Sequence, residues 1–319
     1  MRSTTEPKGS RLLVPFGGRT QGNDIVVRFG LSTDKVRGRR LGHHRGASVR
    51  FSEWVLVVYL TYLVAILPLR RLSRARQVCV VAGALPLVAL VVLISRLPLT
   101  PVVHHVRTWL PLPYLLLGYW LSGMFFVDPQ ASYEARFTSL DERLQRAFGL
   151  TGFATRAPRA LIECLETAYF SCYVVIPAGL IAYVLAGHEA DANRYWSIVL
   201  MAELGCYGVL PWIRTRPPWA LLERSALDDR DVFMRRVNRF LIQYASTRAN
   251  TFPSGHAAGA LATALAVAGV WPAGGVVFFL LAISIAVGSV AGEYHYSGDA
   301  IAGVVTALAA WGLVAGFGL

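Results

Sequence analysis

The chain has 319 residues, 55% hydrophobic and only 16% charged, with a mean hydropathy of +0.47 and a net charge of +12. That balance excludes an ordinary soluble domain and predicts an integral membrane protein. Its four cysteines, Cys79, Cys164, Cys172 and Cys206, lie in or beside apolar runs without metal-ligand spacing. They read as small core residues and imply neither a disulfide nor a metal site.

Residues 1–50 hold 11 of the 31 Lys and Arg, including the run KVRGRRLGHHRG, and lack apolar periodicity. They read as a basic, disordered, cytoplasmic-type tail held near anionic headgroups, with nucleic-acid binding as the weaker alternative. The layout of a signal peptide is absent, so no cleavage is expected.

Uncharged apolar runs follow at 54–69, 78–95, 109–127, 168–186, about 196–213, 255–270, 275–290 and 300–319. A helix needs about 20 residues to cross a bilayer, so several of these qualify. The shorter ones, 54–69, 255–270 and 275–290, span only with extended ends or a locally thin membrane. The expectation is an all-α, polytopic transmembrane bundle of six to eight spans. It divides into an N-terminal block, 51–127, and a second bundle, 128–319. Two polar segments carry helical periodicity: LDERLQRAFGL at 140–150, and 233–244 with Phe233, Val237, Phe240 and Tyr244 on one face. Both read as amphipathic helices at the membrane surface. The last 65 residues are rich in Gly and Ala, which lets helices pack closely in lipid. If 255–270 and 275–290 are two spans, the segments before and after them face the same compartment.

Three polar clusters then share that face. The first, WIRTRPPW at 212–219, places Arg214 and Arg216 just outside a span. Guanidinium groups match phosphate oxygens, and a boundary arginine is the plainer alternative. The second, TFPSGH at 251–256, puts Pro253, Ser254, Gly255 and His256 at a helix start. Free amides there form an anion site with a proton donor beside it, or simply a capped helix with an incidental histidine. The third, EYHYSGDAIAG at 293–303, sets His295 and Asp299 four apart. On a helical turn that spacing lays the carboxylate beside the ring and fixes its tautomer, which would make His295 a nucleophile or base. Alternatively Asp299 caps its helix and His295 is an interfacial side chain. Glu203 is ionisable inside a span, which points to a partner, such as an arginine, or to function. His43, His44, His104 and His105 lack further ligands at metal spacing and receive no role.

The order R-P, P-S-G-H, H-x-x-x-D, each beside a span, resembles the type 2 phosphatidic-acid phosphatase and haloperoxidase superfamily, over roughly residues 160–319. FPSGH and HYSGDAIAG are the close matches. The resemblance implies that 128–319 is a lipid-phosphatase-like catalytic bundle. His295 would attack phosphorus to form a phosphohistidine, with Asp299 orienting it. His256 would protonate the leaving oxygen and later activate water. Ser254, Gly255 and Arg216 would hold the phosphoryl oxygens, with no metal and no cofactor. Two departures stand out. Val209 occupies the usual Lys position seven residues before the Arg, and Ser289 occupies the usual Arg position six before the His. Arg214 and Arg248 are the candidates to replace those cations. The altered pattern looks more like the branch that includes inositol-phosphorylceramide synthases, some of which pass a head group to an alcohol instead of water.

The implied partners are a lipid phosphate and membrane lipids, not nucleic acid. A transporter built on the same bundle is the alternative of another class, although only Glu203 lies deep. A catalytically inactive scaffold is the third reading. The basic tail argues for a cytoplasmic N-terminus, which with eight spans puts the site outside the cytoplasm in a plasma membrane. Against this, site-side loops hold 17 Lys and Arg, including RRLSRAR at 70–76, and the opposite loops hold 3 apart from the tail. Interfacial helices inflate the larger count, so the expectation is an extracytoplasmic site.

Overall fold

The computed structural model describes residues 48–149, 151–222, 225 and 227–318. The basic tail, with His43 and His44, therefore lies outside the described residues except for its last three positions. Among the described residues every regular element is helical, and an isolated bridge pairs Thr215 with Asn250. The helices are α1 (Phe51–Ala65), α2 (Arg74–Arg96), α3 (Pro101–Trp109), α4 (Pro111–Gly123), α5 (Ala131–Ala147), α6 (Phe153–Arg156), α7 (Arg159–Phe170), α8 (Cys172–Leu185), α9 (Ala192–Val209), α10 (Phe233–Ala245), α11 (Gly255–Ala268), α12 (Pro272–Ala291) and α13 (Ser297–Gly316).

Helix starts follow local chemistry. Ser73 and Thr100 cap α2 and α3 through their side-chain oxygens. Pro101, Pro111 and Pro272 stand in the first turns of α3, α4 and α12, where a missing N–H costs nothing.

Four helices, or helix-plus-turn segments, are long and apolar enough to cross a membrane: 51–69, α2, α12 and α13. The pair α7 and α8, bent by 58° at Ser171, makes a fifth. This is fewer than the six to eight spans expected. The run 109–127 yields α4, only 13 residues long and starting at Pro111. The run 255–270 yields the 14-residue α11, and the 18-residue α9 carries Arg194 and Glu203. These three nevertheless pass through the interior. Twelve of the 18 residues of α9 are buried, and the helix packs against α1, α4, α11 and α13. Outward-facing residues of α2, α12 and α13, such as Leu85, Leu93, Leu280, Ile283, Val305 and Leu308, form the apolar surface that a bilayer requires.

The two ends of the bundle are tied differently. At one end Arg107 forks onto Glu53 at 2.7 and 2.6 Å, and Asn193 accepts from the Ser52 N–H and hydroxyl at 3.1 and 2.9 Å. At the other, Arg70 lies over Trp212 at 4.1 Å, and Arg76 donates to the carbonyls of Met124 and Phe126. The arginine-rich connection 70–76 therefore sits beside segment 211–219.

Both amphipathic segments are helical. The first starts earlier than its apolar pattern indicates, at Ala131. On α10 the burial is the reverse of a soluble helix: Arg235 and Asn238 point inward, while Phe233, Phe240 and Tyr244 are 57%, 60% and 67% exposed. An outward apolar face suits a helix lying on hydrocarbon. Cys172 and Cys206 are buried, but Cys79 and Cys164 are exposed, contrary to the core reading, because their helix faces point outward; all four are free.

Small residues set the contact between α9 and α11. A methyl group on Gly259 would overlap the Glu203 carboxylate, whereas one on Gly312 of α13 would meet nothing within 4 Å. Gly259→Ala should therefore destabilise by about 1–3 kcal/mol through overpacking. Gly312→Ala should leave the thermal midpoint in detergent unchanged, which differential scanning fluorimetry on the two variants would check.

Candidate active site

Residues 212–219, 248–256 and 292–299 converge at one end of the bundle. Backbone hydrogen bonds join them in pairs. Asn250 N donates to Thr215 O at 2.9 Å, Trp219 N to Glu293 O at 3.0 Å, and Ser254 N to Asp299 O at 2.9 Å. The antiparallel pair α11 and α12 brings the second and third clusters to the same end, as the two-span reading requires.

His295 lies in the turn before α13, not on the helix, so the four-residue spacing does not act as a helical stack. It works through the cap instead. Asp299, in the first turn of α13, accepts from Tyr296 N at 3.0 Å. The same Oδ2 faces His295 Nδ1 at 3.5 Å, a close approach without an aligned hydrogen bond. Asp299 thus caps α13 and at the same time stands beside the His295 ring. With Nδ1 turned to Asp299, Nε2 is the ring nitrogen left for chemistry. The His256 ring is 5.5 Å from the His295 ring, edge to face at 81°.

Both histidines line a cavity of about 40 Å³ with Gly255, Thr251, Arg248, Pro217, Trp219 and the tyrosines 119, 169, 207 and 294. The start of α11 opens onto it. Ser254 is fully buried, and its hydroxyl accepts from Ala257 N at 3.3 Å, capping α11 and lying outside the cavity lining. Gly255 and His256 are the members of that motif that meet the cavity.

The arginines separate. Arg248, in a left-handed backbone conformation at φ +57°, lines the cavity, and its guanidinium donates to Gln243 O at 2.9 Å. Arg216 is held away from it by Glu134 on α5, through Nε to Oε1 at 3.0 Å and Nη2 to Oε2 at 2.8 Å. The Arg216 guanidinium and backbone N–H hold the Glu134 carboxyl below the usual carboxylate range. Arg214 bonds Gln130 through its backbone and does not line the cavity. Of the two candidates for the missing cations, only Arg248 thus stands at the cavity wall.

Residues that the motifs did not reveal orient this machinery. Tyr294 stacks on Tyr169 at 3.9 Å and donates to Glu166 Oε2 at 2.6 Å. Tyr169 in turn sits edge-on to His256 at 5.5 Å. Glu166 also takes Arg235 at 3.1 Å and Asn238 at 2.8 Å, all three side chains buried. Arg235 reaches on to Gly292 O at 3.1 Å and Glu293 at 3.3 Å, in the turn that leads to His295. A Glu on one helix and an Arg some 70 residues later carry no motif, and the sequence did not mark them. Among the described residues no group of three or more His, Cys, Asp or Glu could hold a metal ion.

A model of the PAP2 superfamily matches residues 135–313, more than half of the chain. The chain therefore belongs to the PAP2 superfamily, and its class of chemistry is of the phosphatase or phosphotransferase type. No curated protein and no solved structure matches it.

Two outcomes follow from these ion pairs. Glu166→Leu removes the buried acceptor shared by Arg235, Asn238 and Tyr294, leaves Arg235 with Asp228 and Glu293, and should destabilise by about 1–3 kcal/mol, whereas Asp231→Ala, in an exposed pair, should leave the thermal midpoint unchanged. The second concerns pH. Because Glu134 is depressed in the folded state, its contribution is present above the unfolded carboxyl pKa of about 4.3 and is lost as pH falls through the lower folded value. The difference in thermal midpoint between wild type and Glu134→Gln should be constant at neutral pH and shrink below about pH 4.3.

Proposed function

We propose that this membrane enzyme removes phosphate from a lipid phosphomonoester or diphosphate through a phosphohistidine on His295. The observation that carries the reading is His295, backed by Asp299 at 3.5 Å and facing His256 at 5.5 Å, in a cavity at the start of α11. His295 Nε2 attacks phosphorus, a P–N bond forms, and the P–O bond to the lipid breaks. His256 delivers a proton to the leaving oxygen. An incoming hydroxyl then attacks phosphorus while His256 takes its proton, the P–N bond breaks, and His295 recovers its lone pair.

The phosphoryl oxygens lie against the amide of His256, the bare Cα of Gly255, whose own N–H donates to Thr251 Oγ1 at 3.5 Å, and the guanidinium of Arg248, with Arg216 and Arg214 adding positive charge from outside the cavity lining. Ser254 supports the site as the cap of α11. Fixed amides and charge stabilise the transferring group without reorganising. The aromatic-lined cavity and the outward apolar face of α10 suit a substrate whose phosphate stands at the membrane surface while its tail stays in lipid. The site faces outward from the cytoplasm across the plasma membrane, with membrane lipids as surroundings and no nucleic-acid partner.

A second reading is transfer of the phosphoryl-bearing group to an alcohol. It is favoured by Val209 and Ser289, which leave the site with less positive charge than the related hydrolases.

The test is phosphate release in detergent from a panel of phosphatidate, prenyl phosphate and phosphatidylglycerol phosphate, without added metal. Activity should fall by at least about a thousandfold in His295→Ala and by a hundredfold or more in His256→Ala. Activity that survives His295→Ala would sink the nucleophile assignment. Turnover only on addition of inositol or glycerol would favour the transferase reading.

A further inference from the structure

Glu203 is 3% exposed and lies in the middle of the bundle, yet no arginine meets it. The expected cationic partner is absent among the described ion pairs. Its carboxyl lies one turn along α9 from Tyr207, and its Oε2 has no hydrogen-bond partner. The chain clears space for this carboxyl. Gly255 and Gly259, one turn apart on α11, both face it. A methyl on Gly255 would lie 2.9 Å from Glu203 Oε2, and 2.7 and 3.2 Å from two ring atoms at the hydroxyl end of Tyr207. A carboxylate and a phenol thus converge on the residue next to His256.

Tyr207 lines the cavity that holds both histidines, while Glu203 stands behind it. The ring of Tyr207 also packs on Tyr119 at 5.3 Å, whose hydroxyl receives Thr247 N at 3.0 Å, immediately before Arg248. Tyr207 of α9 and Tyr119 of α4 thus both contribute to the cavity lining. The two-step chemistry proposed above assigns nothing to either.

We propose that Tyr207 orients the attacking hydroxyl in the second half of the reaction, and that Glu203 is a positioning residue acting through Tyr207. This rests on the phosphohistidine reading. Glu203 Oε2, a buried acceptor without a partner beside the hydroxyl end of Tyr207, can take the phenol O–H, which leaves the phenol oxygen a lone pair for the cavity. A water molecule can place one O–H on His256 and the other on Tyr207. An alcohol with neighbouring hydroxyls can do the same, the attacking O–H on His256 and the next on Tyr207. The attacking oxygen bonds to phosphorus, the P–N bond to His295 breaks, and the transferred proton ends on His256. Tyr207 keeps its proton throughout and contributes orientation. The first half-reaction, in which the lipid oxygen leaves, does not use the pair.

The experiment follows the phosphoenzyme by rapid quench with the phosphate-labelled lipids of the panel above, with water alone or with glycerol as acceptor. In Tyr207→Phe and Glu203→Leu, labelled His295 should form at the wild-type rate and decay at least about tenfold more slowly, so that it accumulates. Glu203→Gln, which keeps a carbonyl acceptor for the phenol, should stay within about threefold of wild type. The double variant Tyr207→Phe/Glu203→Leu should lose no more than either single change, because the two act as one unit. A loss caused only by looser packing would slow formation and decay alike and lower the thermal midpoint in step. Equal slowing of both steps, additive losses, or wild-type decay in Tyr207→Phe would each overturn the assignment while leaving the phosphohistidine intact. Absence of any labelled histidine in the wild type would instead overturn the reading on which it rests.

Discussion

One buried guanidinium holds the chemical end of this bundle together. Arg235 enters from α10 and meets Glu166 of α7, Asp228 and Ser225 of the preceding loop, and Gly292 O and Glu293 of the turn before His295. In an interior of low polarizability an unpaired charge costs far more than in water, so these four segments cannot part independently. Glu166 is the hinge of the arrangement, since it also receives Tyr294 and Asn238. The position of His295 is thereby fixed by charge pairing and aromatic stacking as well as by the cap of α13.

Around that anchor, the site is assembled from chain segments that have no regular structure of their own. Three backbone hydrogen bonds and the Thr215–Asn250 bridge join loops that come from far-apart parts of the chain. Loops can carry such polar backbone because they lie at the bundle end, where the hydrocarbon requirement for internally bonded backbone is relaxed. The long helices take the opposite role and present apolar faces outward.

The electrostatics of the end differ from the family pattern that the motifs resemble. Val209 and Ser289 supply no charge, and Arg216 is committed to Glu134. Among the described residues that line the cavity, the cation is Arg248, beside the start of α11. Glu203 adds a buried carboxyl to the same neighbourhood, behind Tyr207 and against two glycines.

Much was legible in the sequence alone. Apolar runs and low charge determined an all-helical membrane bundle, because hydrocarbon leaves helices as the simplest way to satisfy the backbone. The residues His256, His295 and Asp299 were marked by spacing, since short-range motifs carry local geometry such as a helix cap. Hydropathy marked the helices with lipid-facing sides, but it does not distinguish them from helices buried by their neighbours, as α9 and α11 are. Ser254 and Arg216 were legible as polar residues near the site, but their partners, Ala257 N and Glu134, depend on folding. Glu166, Arg235, Tyr207 and the role of Glu203 were decided only in the tertiary structure. They meet across tens of residues, and a pairing between distant helices leaves no period or spacing in the chain.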